Sequence, residues 1–267
     1  MKVLLLAALL FLPAHAWAQA PAWDKLADGL DVTVWTPGKP CAQVPPLYLL
    51  KIDPERFRFA VYQFHHERLN GPLTLPEWQQ RTKAVALFNA GLFLENFSYM
   101  GLLYSGGQSA GSAKHAQWQG LFVAEPFAPM GKKARVLDLQ AEAFDPGRPA
   151  YQEAAQALML LDRQGKPRVR QSGKAAQQTV VAEDRAGRIL VIMSNGEIPL
   201  WELAVCLRDG FRDVTHAMAM DGGASSDVLI SSTLSGPRAD AAWSPLVDGK
   251  GLSHTPLPAV IGIFPRQ

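Results

Sequence analysis

The sequence predicts an α+β fold with mixed β-sheets, a few packed helices and a single compact domain. Short β-rich segments and helical segments alternate irregularly along the chain, which favours such a fold over a regular repeat of strands and helices. No G-x-G-x-x-G fingerprint and no internal repeat period occur in the sequence. The length beyond the first 20 residues fits one large domain, and an apolar content of 48% supplies a substantial core.

The first 20 residues have the features of a cleavable secretory signal peptide. Lys2 precedes an apolar run from Val3 to Leu12, and the small residues that follow include Ala16-Trp17-Ala18 and Ala18-Gln19-Ala20. Both tripeptides fit an A-x-A cleavage site, and the apolar run is shorter than the ~20 residues that a membrane span needs. We therefore expect a signal peptide here, with an uncleaved N-terminal anchor as the alternative.

Residues 21–267 form the predicted domain, which we expect to be periplasmic or secreted. No later segment reaches the length of a membrane span, so none is expected after signal cleavage. Loss of Lys2 changes the net charge from +2 to +1. Such a balanced charge argues against nucleic acid or an anionic membrane as a partner, because both require a basic surface.

Predicted strands are short runs of β-branched and aromatic residues that turn residues separate. In the first half of the chain they are Leu30–Trp35, Leu47–Ile52, Phe57–Phe64, Val85–Phe88, Gly120–Ala124 and Ala134–Leu139. In the second half they are Leu158–Asp162, Thr179–Glu183, Arg188–Ser194, Ala217–Met220, Val228–Ser231 and Val260–Phe264. The Asp53-Pro54-Glu55-Arg56 break predicts a turn, so that residues 47–64 form a β-hairpin.

Two helices are predicted from their start and stop signals. The first begins near Leu75, has Pro76 in its first turn and ends near Lys83. The second spans Leu200–Asp209, where apolar residues recur at helical spacing before a glycine. Gln152–Ala157 is predicted to form one or two helical turns. Two glycine-, proline- and serine-rich segments, 105–112 and 235–253, are predicted to be long surface loops, which are often functional.

The two cysteines leave two alternatives open. In an oxidising compartment Cys41 and Cys206 can form a disulfide, which would close a long loop and add ~4 to 5 kcal/mol in the chain-entropy model. Cys206 also lies in the apolar stretch Leu203–Leu207, where a buried free thiol is equally expected.

The segment from Asp221 to Ser226, with the sequence DGGASS, lies between two predicted strands. Two successive glycines allow several N–H groups to point toward one anion, and the serine hydroxyls add donors for a phosphate. Asp221 would then present a carboxylate beside that anion. A glycine-rich tight turn without a ligand is the alternative.

Other catalytic and metal-binding patterns are weakly supported. The G-x-S-x-G nucleophile elbow fails, because Asp227 stands where glycine is required. There is no H-E-x-x-H motif and no cysteine pair with zinc-binding spacing. We predict no metal ligand and identify no cofactor. A divalent cation stays open, although no calcium-loop spacing occurs.

A second motif, Phe88-Asn89-Ala90-Gly91-Leu92-Phe93, leaves a predicted buried strand. Together with the later Asp-Gly-Gly turn it resembles the phosphodiester glycosidase family. In that family an N-A-G-x-F motif leaves a buried strand, and a D-G-G-x-S-S turn follows a helix and a short strand. The resemblance extends in order and spacing from about Leu47 to Phe264.

The resemblance implies an exported hydrolase that cleaves the glycosidic bond of a sugar 1-phosphodiester in a glycan or envelope polymer. Asp221 is then the first candidate for the catalytic carboxylate, either as the base for water or as a stabiliser of an oxocarbenium-like transition state. Asn89 and Glu202 are the further catalytic candidates. The candidates for binding substrate and phosphate are Gly91, Phe93, Gly222, Gly223, Ser225 and Ser226.

The sequence departs from the family pattern at the position of a phosphate-binding arginine. Family members often carry it just before the strand that begins at Thr179, where this chain has two glutamines. Phosphate recognition then requires Arg170, Arg185 or another cation. A non-catalytic, phosphoglycan-binding envelope protein is therefore the alternative function. A third possible function is that of an envelope interaction protein with an exposed surface around Trp118 and Trp243.

Overall fold

The computed structural model describes residues 21–39, 41–129, 131–235, 241–250 and 252–266. The predicted signal peptide and parts of the predicted 235–253 loop lie outside the described residues. The strands are β1 (Asp24–Ala27), β2 (Leu30–Trp35), β3 (Leu47–Ile52), β4 (Phe57–Gln63), β5 (Ala86–Asn89), β6 (Leu103–Ser105), β7 (Gln108–Ser109), β8 (Gly120–Pro126), β9 (Ala134–Asp138), β10 (Tyr151–Leu161), β11 (Ala175–Ala176), β12 (Thr179–Asp184), β13 (Ile189–Ser194), β14 (Ile198–Pro199), β15 (Val214–Ala219), β16 (Val228–Ile230) and β17 (Ala259–Pro265). The helices are α1 (Leu75–Thr82), α2 (Leu200–Gly210) and α3 (Ser232–Ser235), with 3-10 turns at Gly223–Ser225 and Ser244–Leu246.

A large β-sheet and a four-stranded β-sheet organise the described residues, and the strands of both pair antiparallel. The larger sheet has the order β1-β2-β3-β13-β12-β15-β10-β6-β7, and β8 pairs with both β10 and β9. The smaller sheet has the order β16-β5-β17-β4, and β11 and β14 form a separate ribbon. The eleven-residue strand β10 is long enough to pair with β15 near its end and with β6 and β8 nearer its start.

The two sheets pack on each other, and each carries a helix on its outer face. Period-2 alternation in β3 sends Leu50 and Ile52 into the core between the sheets and Leu47 and Leu49 toward α2. In the smaller sheet, Leu87 points away from the other sheet and packs with buried residues of α1. Two β layers with helices outside confirm the predicted α+β fold and single compact domain.

Both predicted helices are confirmed. They could be predicted because residues at their termini carry local start and stop signals. Thr74 caps α1, and the Glu77 carboxylate accepts hydrogen bonds from the Thr74 backbone N–H and hydroxyl at 2.8 Å each. Lys83 ends this helix in the left-handed conformation, with φ 59°. The second helix, α2, ends at Gly210, one residue beyond the predicted end at Asp209.

The hairpin predicted over residues 47–64 is wrong. β3 pairs with β2 and β13 in the large sheet, whereas β4 pairs with β17 at the other end of the chain. The turn at Asp53 is present, since its carbonyl accepts from the N–H groups of Arg56 and Phe57. This turn takes the chain from the large sheet to the small one. Each of the two strands pairs with a strand distant in sequence, β13 for β3 and β17 for β4, and not with the other.

The helical turns predicted over Gln152–Ala157 are also wrong, because this segment belongs to β10. Tertiary contacts hold the segment in a strand despite the helical propensity of its alanines and glutamines. Gln156 is fully buried, and its side chain accepts from the N–H groups of Leu102 and His115 and donates to the His115 and Trp118 carbonyls.

Cys41 and Cys206 form a disulfide, which settles the alternative that the sequence left open. Their Cα atoms are 5.3 Å apart. The bond joins the loop before β3 to α2, within the apolar cluster on the outer face of the large sheet.

Candidate active site

The two sequence motifs meet where β5 and β15 end. The Asn89 side-chain Nδ2 donates to the backbone carbonyls of Asp221 at 2.8 Å and Ala90 at 3.1 Å, and its Oδ1 accepts from the Asp227 N–H at 3.1 Å. In return, the Asp221 N–H donates to the Ala90 carbonyl. Asn89 is only 1% exposed. Its amide is therefore engaged within the protein, and it positions the Asp-Gly-Gly turn.

Gly91 is required by a close approach of the chain to a buried tyrosine. A Cβ at this position would collide with the Tyr99 hydroxyl and lie 2.7 Å from the Gln156 carbonyl oxygen. The Gly91 N–H donates to the Tyr99 hydroxyl, which donates to the Gln156 carbonyl at 2.7 Å. Burial raises the pKa of Tyr99, so the hydroxyl stays neutral and can donate. Phe93 forms a ring pair with Phe97.

Asp221 lines a cavity of about 870 Å³. Its carboxylate accepts a hydrogen bond from the Gly222 N–H at 3.0 Å and another from the Ser225 hydroxyl. Burial raises the pKa of Asp221, and these two hydrogen bonds lower it in part. The residue thus presents a partly buried carboxylate that binds a proton more readily than an exposed one.

The glycines of the turn also line this cavity, but their N–H groups are bonded to the protein. The Gly223 N–H donates to the Gln177 carbonyl at 2.7 Å, and the Ser226 hydroxyl donates to the same carbonyl at 2.9 Å. Gly223 has φ +67°, which explains a glycine there. An anion at Gly222, Gly223 or Ser226 would have to replace these hydrogen bonds.

The remaining cavity wall comes from segments far apart in sequence. Its charged side chains, among the residues that the structure describes, are Asp221, Arg168, Arg170 and Lys174. An indole and four amides supply further polar groups: Trp118, Gln117, Gln119, Gln140 and Gln178. Three cations face one carboxylate, so this cavity is suited to an anionic ligand that also carries hydroxyl groups.

The three cations differ in their partners. The Arg168 guanidinium lies 3.1 Å from an Asp138 carboxylate oxygen and 3.7 Å from one of Asp162. Arg170 and Lys174 are exposed, and neither forms an ion pair with another described residue. Of the two arginines that the sequence suggested for phosphate, Arg170 lines the cavity, whereas Arg185 is exposed and donates to the Arg212 carbonyl away from it.

The structure brings only part of the predicted site into the cavity. Asp221, Gly222 and Gly223 line it. The other predicted site residues are outside its described lining: Asn89, Gly91, Phe93, Glu202, Ser225 and Ser226. Glu202 lies on α2, and its helix neighbour Leu200 contacts the cavity instead.

Sequence reasoning missed the lysine and most amides of the cavity. A signal for the cationic wall exists, because residues 163–174 contain five basic side chains after a strand end. Gln117 and Gln119 share one loop, whereas Gln140 and Gln178 come from two other segments, so the four amides carry no common pattern.

The aromatic surface proposed as a third function is wrong. Trp118 is 8% exposed and stacks on His115, and Trp243 is 1% exposed and donates to an Asp24 carboxylate oxygen at 2.7 Å. Both indoles are packed into the protein, so neither forms an exposed aromatic surface.

Within the described ranges, no three histidine, cysteine, aspartate or glutamate side chains converge as metal ligands would. No helix built from these residues has the length and apolar character of a membrane span.

Two solved structures share the fold. A hypothetical protein from Synechocystis superimposes with a TM-score of 0.60 at 12% identity over 93% of this chain, which spans 64% of that protein and so less than two thirds of it. The zebrafish N-acetylglucosamine-1-phosphodiester alpha-N-acetylglucosaminidase catalytic domain, auto-inhibited by its pro-peptide, superimposes with a TM-score of 0.58 at 14% identity, over 92% of this chain and 82% of that one. Among curated proteins, no sequence matches.

The phosphodiester glycosidase family model matches residues 82–264, which include the Asn89 motif, the Asp221 turn and the cationic segment between them. The matched region covers more than half of the sequence and supplies the whole described lining of the cavity. The chain therefore belongs to the phosphodiester glycosidase family.

Proposed function

We propose that this protein hydrolyses the glycosidic C–O bond of a sugar 1-phosphodiester in a glycan or envelope polymer. One observation carries the proposal: in the described lining of the cavity, Asp221 is the single carboxylate and shares the wall with three cations. The cations suit the phosphodiester, the amides suit sugar hydroxyls, and the carboxylate suits acid–base chemistry. Membership of the family supports the same reaction class.

In the proposed reaction, Asp221 is the general base. A water oxygen bonds to the anomeric carbon while the bond from that carbon to the phosphate oxygen breaks, and the electron pair leaves with the phosphate monoester. The proton of the water passes to the Asp221 carboxylate and then to solvent. A phosphate leaving group is weakly basic, so a second carboxyl group to protonate it is not required.

We further propose that the protein acts in the periplasm or outside the cell. The signal-like residues 1–20 support this location, and so does the Cys41–Cys206 disulfide, because disulfides persist mainly in oxidising compartments. Glycan phosphodiesters assembled outside the cytoplasm are then the accessible substrates.

The test is release of free sugar from a panel of sugar 1-phosphodiesters. Asp221→Asn should lower kcat/KM by about 10²- to 10⁴-fold, because the amide cannot take the proton from water. Asp213→Asn is the matched control: Asp213 is exposed and precedes β15, whereas Asp221 follows the other end of that strand. The control should retain wild-type activity.

Two results would contradict the proposal. Undiminished sugar release by Asp221→Asn would remove the mechanism. Absence of sugar release by the wild type from every diester, with diester binding retained, would favour the alternative of a non-catalytic phosphoglycan-binding protein.

A further inference from the structure

We propose that Arg170 and Lys174 form the phosphate subsite of the cavity, so that a bound diester lies with its sugar at Asp221 and its phosphate at the 168–174 segment. The inference rests on the proposed function for the identity of the ligand. It makes these two cations determinants of specificity.

The part of the cavity wall around Asp221 has few donors left for an anion. The Gly222 N–H donates to the Asp221 carboxylate, and the Gly223 N–H donates to the Gln177 carbonyl. The side-chain amide of Gln178 donates to the Ala176 and Ile198 carbonyls. A phosphate placed here would lie beside the Asp221 carboxylate and would have to break hydrogen bonds within the protein, which is unfavourable.

Two of the three cations in the cavity wall have no competing carboxylate among the described residues. Arg168 is already paired with Asp138, so its charge is largely compensated. Arg170 and Lys174 pair with no carboxylate in the described part of the chain. Arginine and lysine are the side chains that bind phosphate most effectively, and these two face the cavity from one short segment.

The acceptor groups around Asp221 suit a sugar instead. The Gln178 Oε1 lies close to Gly222, 3.0 Å from where a Cβ there would stand, and accepts no hydrogen bond from a described residue. It can accept from a sugar hydroxyl beside the Asp221 carboxylate. With the phosphate held by the two cations and the sugar held by acceptors beside Asp221, the anomeric carbon is directed toward Asp221.

The experiment measures binding of inorganic phosphate, without turnover, by calorimetry on the full protein. The double substitution Arg170→Ala and Lys174→Ala should weaken phosphate binding about tenfold, as expected for the loss of two exposed charge contacts. The matched control, Arg163→Ala with Lys166→Ala, removes one arginine and one lysine just before this segment, and neither side chain is in the described cavity lining. The control should bind within about twofold of wild type.

Turnover then separates this inference from the proposed function. If the protein releases no sugar but phosphate binding still depends on Arg170 and Lys174, the subsite stands and the hydrolase proposal fails. Unchanged phosphate affinity in the double variant, an equal loss in the control, or no phosphate binding by wild type would each overturn the subsite, whatever the activity.

Discussion

The side-chain amide of Asn89 donates a 2.8 Å hydrogen bond to the backbone carbonyl of Asp221, across 132 positions of sequence. The carboxylate of Asp221 faces the cavity, whereas Asn89 is buried behind it. A residue without contact to the cavity therefore fixes the backbone that presents the proposed base.

Asn89→Ala should lower the free energy of unfolding by about 2 to 4 kcal/mol and reduce sugar release. It removes three hydrogen bonds and leaves the Asp227 N–H and the Asp221 carbonyl without this partner. Urea denaturation measures the stability, with the exposed Asn70→Ala as control, for which a change within about 0.5 kcal/mol is expected. Full stability combined with lost activity would instead assign Asn89 to direct substrate contact.

Ser225→Ala should shift the acid limb of the kcat/KM–pH profile to higher pH. The Ser225 hydroxyl hydrogen-bonds the Asp221 carboxylate and lowers its pKa, which burial raises. Without the hydroxyl the pKa of Asp221 rises further, and a base must be ionised to act. Ser226→Ala is the comparison, since that hydroxyl bonds the Gln177 carbonyl. A limb that shifts equally in both variants would contradict this account.

Local signals explain which parts of the fold could be predicted from the sequence. The cap at Thr74 and the left-handed Lys83 act within one helix, so its bounds follow from neighbouring residues. Strand pairing is decided by distant partners, which is why the turn at Asp53 was correctly placed while the hairpin was not. In the same way, Gln156 is held in a strand by groups from two loops, the one before β6 and the one before β8, and local propensity does not register them.

In the candidate site, too, the features set by local sequence could be predicted and those set by distant contacts could not. The Asp221 turn has a distinctive glycine pair, so its presence at a site was predictable. Whether Glu202 or Lys174 reaches the same cavity depends on how α2 and the 168–174 segment pack, and single-sequence patterns do not contain that information.

Reduction of the disulfide should lower the free energy of unfolding by about 5 kcal/mol in the chain-entropy model, because Cys41 and Cys206 close a loop with a sequence separation of 165. Urea denaturation with and without reductant measures this loss. The Cys41→Ser, Cys206→Ser double variant should resemble the reduced protein and be insensitive to reductant. Equal stability of oxidised and reduced wild type would rule out the stabilising role.

Acid should destabilise the protein through Glu183. Its carboxylate lies 2.7 Å from the Lys132 ammonium and 3.4 Å from the His216 Nε2. Burial raises the pKa of Glu183, but the hydrogen bonds from His216 and Lys132 outweigh it and hold the pKa at about 2, below the ordinary value of 4.5. The contribution to stability is therefore complete above pH 4.5 and is lost as the pH falls toward 2.

Across that interval, Glu183 should account for a loss of up to about 3 kcal/mol in the free energy of unfolding. Urea denaturation at a series of pH values measures it. Glu183→Gln should be less stable than wild type at neutral pH. It should also lose less stability on acidification, because the glutamine has no carboxylate that takes up a proton. The exposed Glu55→Gln should follow the wild-type curve. A Glu183→Gln curve parallel to wild type would show that the contacts of Glu183 with Lys132 and His216 contribute no pH-dependent stability.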